Sequence, residues 1–214
     1  MRIQGLQYIT HEIEDFSHED QALEALEGGC EWIQLRFKTT PEADRKEIAE
    51  EVFELCGMFD AKLIINDDVN LAKEIGADGV HLGKEDMSIE EARAILGEEA
   101  IIGGTANNIE DIIELNHLGV QYIGLGPYAQ TSTKKKLEKI LGLKGYSHCL
   151  EMMKGLNISL PIIAVGGIGL QDVKDLFDTG IDGAAVSSSL HKSRSNMRNS
   201  TMVLAREINK YCHE

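Results

Sequence analysis

A short apolar run followed by an amphipathic stretch recurs about eight times along this chain, and that alternation limits the fold more than any single motif does. The runs suited to strands are 6–10, 32–37, 62–65, 79–81, 101–103, 122–125, 162–165 and 183–187, with helices filling the intervals. The clearest helix follows Thr40-Pro41, where proline suits the first helical position and Ile48, Val52 and Leu55 share a stripe. Glycines at 28–29, 76, 119 and 180 stand where helix ends should meet the next strand. The junctions around Gly76, Gly119 and Gly180 resemble one another, as a repeated unit would require.

Eight strands alternating with helices imply either a closed barrel or an open doubly wound sheet. No GxGxxG follows the first run, which weighs against the dinucleotide-binding form of the open sheet. The expectation is an α/β fold, a single (β/α)8 TIM barrel spanning 1–214 as one domain, with shorter loops than the ~250 residues typical of such barrels.

The formal charge of −15 repels phosphate backbones and anionic lipid alike, so neither nucleic acid nor a membrane surface is an expected partner. No run approaches the roughly 20 apolar residues that cross a bilayer. The chain opens on a strand-like segment with no cationic and apolar leader, and its cysteines, Cys30, Cys56, Cys149 and Cys212, form no CxxC pair. A cytoplasmic protein acting on small molecules is expected, and a homo-oligomer stays open.

Against that acidic background, cations inside the fold demand a reason. In the run Gln34-Leu35-Arg36-Phe37-Lys38, alternation sends Gln34, Arg36 and Lys38 to one side, and a parallel sheet leaves neither face in open solvent. Two buried cations need an anion. In a barrel the chemistry gathers at the C-terminal strand ends, and there the sequence places Asn66-Asp67-Asp68, His81 to Asp86, Gly103-Gly104-Thr105, and Thr131 to Lys134. Gly166-Gly167 permits close backbone approach, and Ser187 at the next strand end adds donors, a pairing suited to phosphate. Asp67 and Asp86 fall at adjacent strand ends and suit Mg²⁺, while Asp68 suits a helix cap. Lys134 is the member of its lysine run nearest the site; His81 fits a structural role and a functional one equally.

Gln34-x-Arg36-x-Lys38, Asn66-Asp67-Asp68, Gly79-Val80-His81-Leu82-Gly83-x-x-Asp86, Gly126-Pro127, Thr131-x-Thr133-Lys134 and Gly166-Gly167-Ile168 together resemble the thiamine phosphate synthases over most of the chain. The resemblance implies a TIM barrel that joins hydroxymethylpyrimidine diphosphate to a thiazole phosphate. By position it implies that Gln34 and Thr105 contact the pyrimidine, that Arg36, Lys38, Asn66 and Lys134 hold the diphosphate, and that Asp67 and Asp86 bind Mg²⁺. Thr131, Thr133, Gly166, Gly167, Val186 and Ser187 would take the thiazole phosphate.

Three positions depart from the pattern. Lys84 stands for a usual Gln, Thr105 for Ser and Asn107 for His. Thr105 keeps a hydroxyl. Lys84 adds a cation beside Asp86 that either aids the diphosphate or competes with the metal. Alternatives from the same superfamily are a thiazole tautomerase and an inactive ligand-binding paralogue; a phosphate-sugar epimerase would explain Gly166-Gly167 but not the cationic run.

Overall fold

Parallel strands need crossovers of a dozen or more residues, and each apolar run here is followed by a segment that supplies one. The computed structural model describes residues 3–130, 139–190 and 196–212. Its strands are β1 (Gly5–Ile9), β2 (Trp32–Leu35), β3 (Lys62–Asn66), β4 (Gly79–Leu82), β5 (Ile101–Ala106), β6 (Tyr122–Leu125), β7 (Ile162–Val165) and β8 (Gly183–Val186). The helices between them are α1 (His18–Glu27), α2 (Glu42–Met58), α3 (Val69–Ile75), α4 (Ile89–Leu96), α5 (Ile109–His117), α6 (Gly142–Gly155), α7 (Val173–Phe177) and α8 (Met197–Ile208). All neighbouring strands pair in parallel, and β1 pairs with β8, Gly5 opposite Gly183 and Tyr8 opposite Val186. The sheet is therefore closed, and the expected (β/α)8 barrel is the observed one.

Strand periodicity sorts the apolar residues into two layers. Tyr8, Ile33, Leu35, Leu63, Ile65, Ile123 and Leu125 join a continuous core with Val52, Ala92, Ile112 and Leu204 of the helices. Residues of the opposite parity, Trp32, Ile64, Tyr122, Ile163 and Ala185, fill the barrel itself. Trp32 and Tyr122 meet edge to face at 5.3 Å. Space for Tyr122 comes from Gly103, where an added Cβ would lie 2.1 Å from the ring. Burying each such large side chain contributes about 1.5–3 kcal/mol, so a side chain at Gly103 would displace the anchor of this inner layer.

The boundaries correct the reading of the cationic run. β2 ends at Leu35 because the Arg36 N–H turns to the Thr10 hydroxyl at 3.0 Å instead of to a neighbouring strand. Gln34 is buried, Arg36 is half-buried and Lys38 is exposed, so the stretch is not a strand with two buried cations. β5 runs on to Ala106, past the expected stop at 103, because Thr105 and Ala106 pair with Gly124 and Leu125. Pro41 caps α2 rather than entering it. Asp68 caps α3 as expected, accepting the Leu71 N–H at 2.9 Å, and Gly76 closes that helix at a φ of 70°. Cys30, Cys56, Cys149 and Cys212 are free thiols. Among the described residues no helix is long and apolar enough to cross a membrane.

Candidate active site

A cavity of about 670 Å³ opens where the strands end. Its floor is polar. Gln34 Nε2 donates to Gln7 Oε1 at 3.4 Å, and both side chains are buried. His81 sits between two hydroxyls, Nδ1 with Tyr122 at 3.0 Å and Nε2 with Thr105 Oγ1 at 2.9 Å. Burial holds the Tyr122 phenol well above its usual range, which keeps it protonated as a partner for the ring. Gly124 makes room for that ring, since an added Cβ would lie 2.7 Å from His81 Cε1. The structural role left open for His81 is thus filled.

One edge of the cavity is charged. Asp67 adopts a φ of 66°, a left-handed conformation that aspartate tolerates better than most residues, and its N–H donates to His81 O at 2.9 Å. Asp86 is anchored by the Gly83 N–H, which donates to its Oδ2 at 2.7 Å. Burial, a hydrogen bond to Asp86 and repulsion from that second carboxylate push the Asp67 carboxyl up to about 7, while Arg36 and Asn66 pull it down. Asp86, Arg36 and Asn66 are thus the groups that act on the Asp67 carboxyl. Both aspartates keep an exposed side, so water screens part of their repulsion.

Among the described residues there is no group of three or more His, Cys, Asp or Glu side chains that could hold a metal alone. Mg²⁺ does not require one, because it binds through one or two carboxylates and completes its shell with water and substrate phosphate. Two crowded carboxylates, one favouring its protonated form, have the oxygen chemistry and excess charge that such a cation would relieve. The donor set fits.

Lys84 does not face Asp86. Its ammonium meets Asp111 Oδ2 on α5 at 2.6 Å, and the same oxygen accepts the Asn107 N–H at 2.7 Å. Asn107 in turn donates from Nδ2 to Gly126 O at 2.6 Å. Two of the three departures from the family pattern therefore share one carboxylate, and neither they nor Asp111 line the cavity.

The opposite edge is built from backbone and hydroxyls. Gly166 and Gly167 have φ values of 94° and 70°, and a Cβ at Gly167 would stand 2.9 Å from Gln130 O. The Tyr128 and Ala129 N–H groups donate to Val165 O and Gly166 O at 2.9 and 3.0 Å, binding the two loops together. Ser187 Oγ and Ser189 Oγ are buried without a hydrogen-bond partner among the described residues. Hydroxyl donors kept dry beside a bare glycine backbone suit a phosphate.

The description of the family model that matches residues 6–190 is thiamine monophosphate synthase. The chain belongs to that family. A thiamine-phosphate synthase of Flavobacterium johnsoniae is 51% identical over 193 residues, covering 88% of this chain and 89% of that protein. One of Phocaeicola vulgatus is 49% identical over 189 residues, 88% of this chain and 91% of the other. The solved thiamine phosphate pyrophosphorylase of Pyrococcus furiosus superposes with a TM-score of 0.87 at 30% identity, over 98% of each chain.

Of the residues expected from resemblance to the thiamine monophosphate synthase family, Gln34, Arg36, Asn66, Thr105, Gly166, Gly167, Val186 and Ser187 line the one cavity. Asp67 and Asp86 lie at its edge rather than in its lining. Lys38 stands outside the lining as well. Thr131, Thr133 and Lys134, and with them most of the 130–139 loop, fall outside the described residues. Sequence reasoning missed Gln7, whose inward parity in β1 was the available signal, and Thr10 and Glu12, which carried none. It also missed Asn196, Asn199 and Ser200 at the α8 end of the cavity.

Proposed function

We propose that this protein joins hydroxymethylpyrimidine diphosphate to hydroxyethylthiazole phosphate, forming thiamine phosphate and releasing diphosphate. The observation that carries the reading is the pairing of two unlike anion sites on one cavity, a charged edge at Asp67, Asp86, Arg36 and Asn66, and a glycine and serine edge at Gly166, Gly167 and Ser187. Between them, no carboxylate, lysine or thiol lines the cavity among the described residues. Such a site lacks a strong nucleophile and suits a reaction that needs none.

An aminopyrimidine supports positive charge at its methylene carbon, so the carbon–oxygen bond breaks first, its electron pair leaving with the diphosphate. The thiazole nitrogen then donates its lone pair to that carbon. Arg36, Lys38, Asn66 and Lys134 hold the departing anion, and Gln34 and Thr105 orient the pyrimidine. Mg²⁺, held by Asp67 and Asp86, would neutralise charge on the diphosphate. Thr131, Thr133, Gly166, Gly167, Val186 and Ser187 hold the thiazole phosphate and fix its nitrogen toward the carbon. A cytoplasmic location belongs to the same proposal and rests on the free thiols, which a reducing compartment maintains.

The test is an assay of purified protein with Mg²⁺ and both substrates, and a parallel one with the thiazole alone. Thiamine phosphate in the first and no change in the second are expected. Isomerisation of the thiazole without coupling would replace this reading with a tautomerase, and binding of both substrates without turnover would replace it with a ligand-binding paralogue.

A further inference from the structure

Residues 36–40 leave β2 with no regular structure of their own, so something else must fix where Arg36 and Lys38 stand. The contacts come from the loop after β1. Thr10 Oγ1 accepts the Arg36 N–H at 3.0 Å. Glu12 Oε1 accepts the Lys38 N–H, the Thr39 N–H at 2.7 Å and, more weakly, the Thr40 hydroxyl at 3.5 Å. One carboxylate oxygen thus gathers three successive residues.

The loop that carries Glu12 is itself held. Buried Gln21 of α1 accepts from the Tyr8 hydroxyl at 2.8 Å and from the His11 N–H at 3.1 Å, and it donates to His11 O and Phe16 O at 2.7 and 2.8 Å. Burial alone would raise the Glu12 carboxyl, but the N–H groups of Thr39, Lys38 and Glu12 itself, with the charge of His18, together hold the group below the usual glutamate range. Glu12 does not line the cavity. Glu12 meets the segment through backbone N–H groups and a hydroxyl, contacts that fix the path of the chain.

We propose that Glu12 is a positioning residue for the diphosphate edge, its carboxylate shaping the segment that presents Arg36 and Lys38. The inference rests on the diphosphate reading given above and adds the determinant that sets that edge's geometry. An ionised acceptor of several N–H groups is worth more than a neutral one. Its loss releases the segment rather than the barrel.

The experiment is calorimetric titration of the full chain with inorganic diphosphate and Mg²⁺, together with KM for each substrate. Glu12→Ala is expected to weaken diphosphate binding by at least about tenfold and to raise KM for the pyrimidine diphosphate alike. KM for the thiazole phosphate should change less than about twofold, and Glu12→Gln, which keeps an acceptor oxygen but not the charge, should recover part of the loss. A general loosening of the fold would instead move both KM values. Should the alanine variant not fold, Glu12→Asp serves, with a loss of about threefold expected because the carboxylate is drawn back by one methylene. Unchanged diphosphate affinity, or equal loss at both substrates, overturns the inference. Wild-type protein that does not bind diphosphate overturns the parent reading and this one together, whereas wild-type binding with an indifferent Glu12 variant overturns this one alone.

Discussion

In the proposed reaction the two edges of the cavity meet the same demand, gripping phosphate in an acidic protein, by opposite means. At the Asp67 edge, charged side chains stand on exposed loops, and two carboxylates crowd each other until one favours its proton. At the Gly166 edge the work falls to backbone and buried hydroxyls with no formal charge. The contrast follows the fates of the two anions in the proposed reaction. A diphosphate that must depart is held by charges that water and a cation can exchange for, while a phosphate that stays through bond formation is held by rigid groups that cost little reorganisation.

The largest effect expected is at the rigid edge. Gly167→Val places a branched side chain at a φ of 70°, and strain of about 1–3 kcal/mol should weaken use of the thiazole phosphate by about thirtyfold. Steady-state kinetics with diphosphate binding measured alongside would check it, and equal damage at both edges would abolish the distinction between them. Next, Asp86→Ala and Lys134→Ala should each slow thiamine phosphate formation by at least about tenfold. A normal rate in either variant removes that residue from the departing-anion site. Ser187→Ala deletes one dry hydroxyl and should raise KM for the thiazole phosphate about fivefold, the worth of one ordinary hydrogen bond; a change confined to the pyrimidine substrate would put Ser187 on the wrong edge.

Stability sharpens the comparison further. Asp67 carries a carboxyl raised from 3.8 to about 7, so the folded chain holds a proton that the unfolded chain has already released. Its contribution to stability therefore declines as pH climbs from about 4 to about 7. Asp86→Asn removes the repulsion and, without metal, should melt about 2 °C higher than the wild type at pH 8 and no higher at pH 5. Scanning calorimetry at the two pH values decides, and a gain that ignores pH would mean that the carboxylates do not interact. The smallest effect is expected at Lys84→Gln, less than about twofold on rate, because that ammonium is spent on Asp111.

Much of this was legible in the chain because periodicity is local. β6 and β7 lie where the apolar runs put them, and Gly76 and Asp68 cap α3 as residues of their types do. Strand ends were harder, since they depend on who accepts the next N–H. β2 stops because a threonine hydroxyl from the loop after β1 intercepts the Arg36 N–H, and no pattern within 32–38 reports that partner. The expected residues that line the cavity were reached through a family pattern and through strand-end placement, which is a topological rule. Glu12 and Asp111 escaped because each has a partner more than 20 residues away, Thr39 and Lys84, and an isolated acidic residue in a sequence this rich in them carries no mark.

Closing the barrel has a consequence for how the molecule comes into being. The seam that joins Gly5 to Gly183 unites the earliest and latest strands to be synthesised, and pairings between such remote segments form slowly. Glu12 follows the first of those strands and Ser187 the last, so a nascent chain still lacking β8 owns the cationic segment's mould but no glycine-and-serine pocket to face it. The two-edged site proposed here is therefore complete only once β8 has been made.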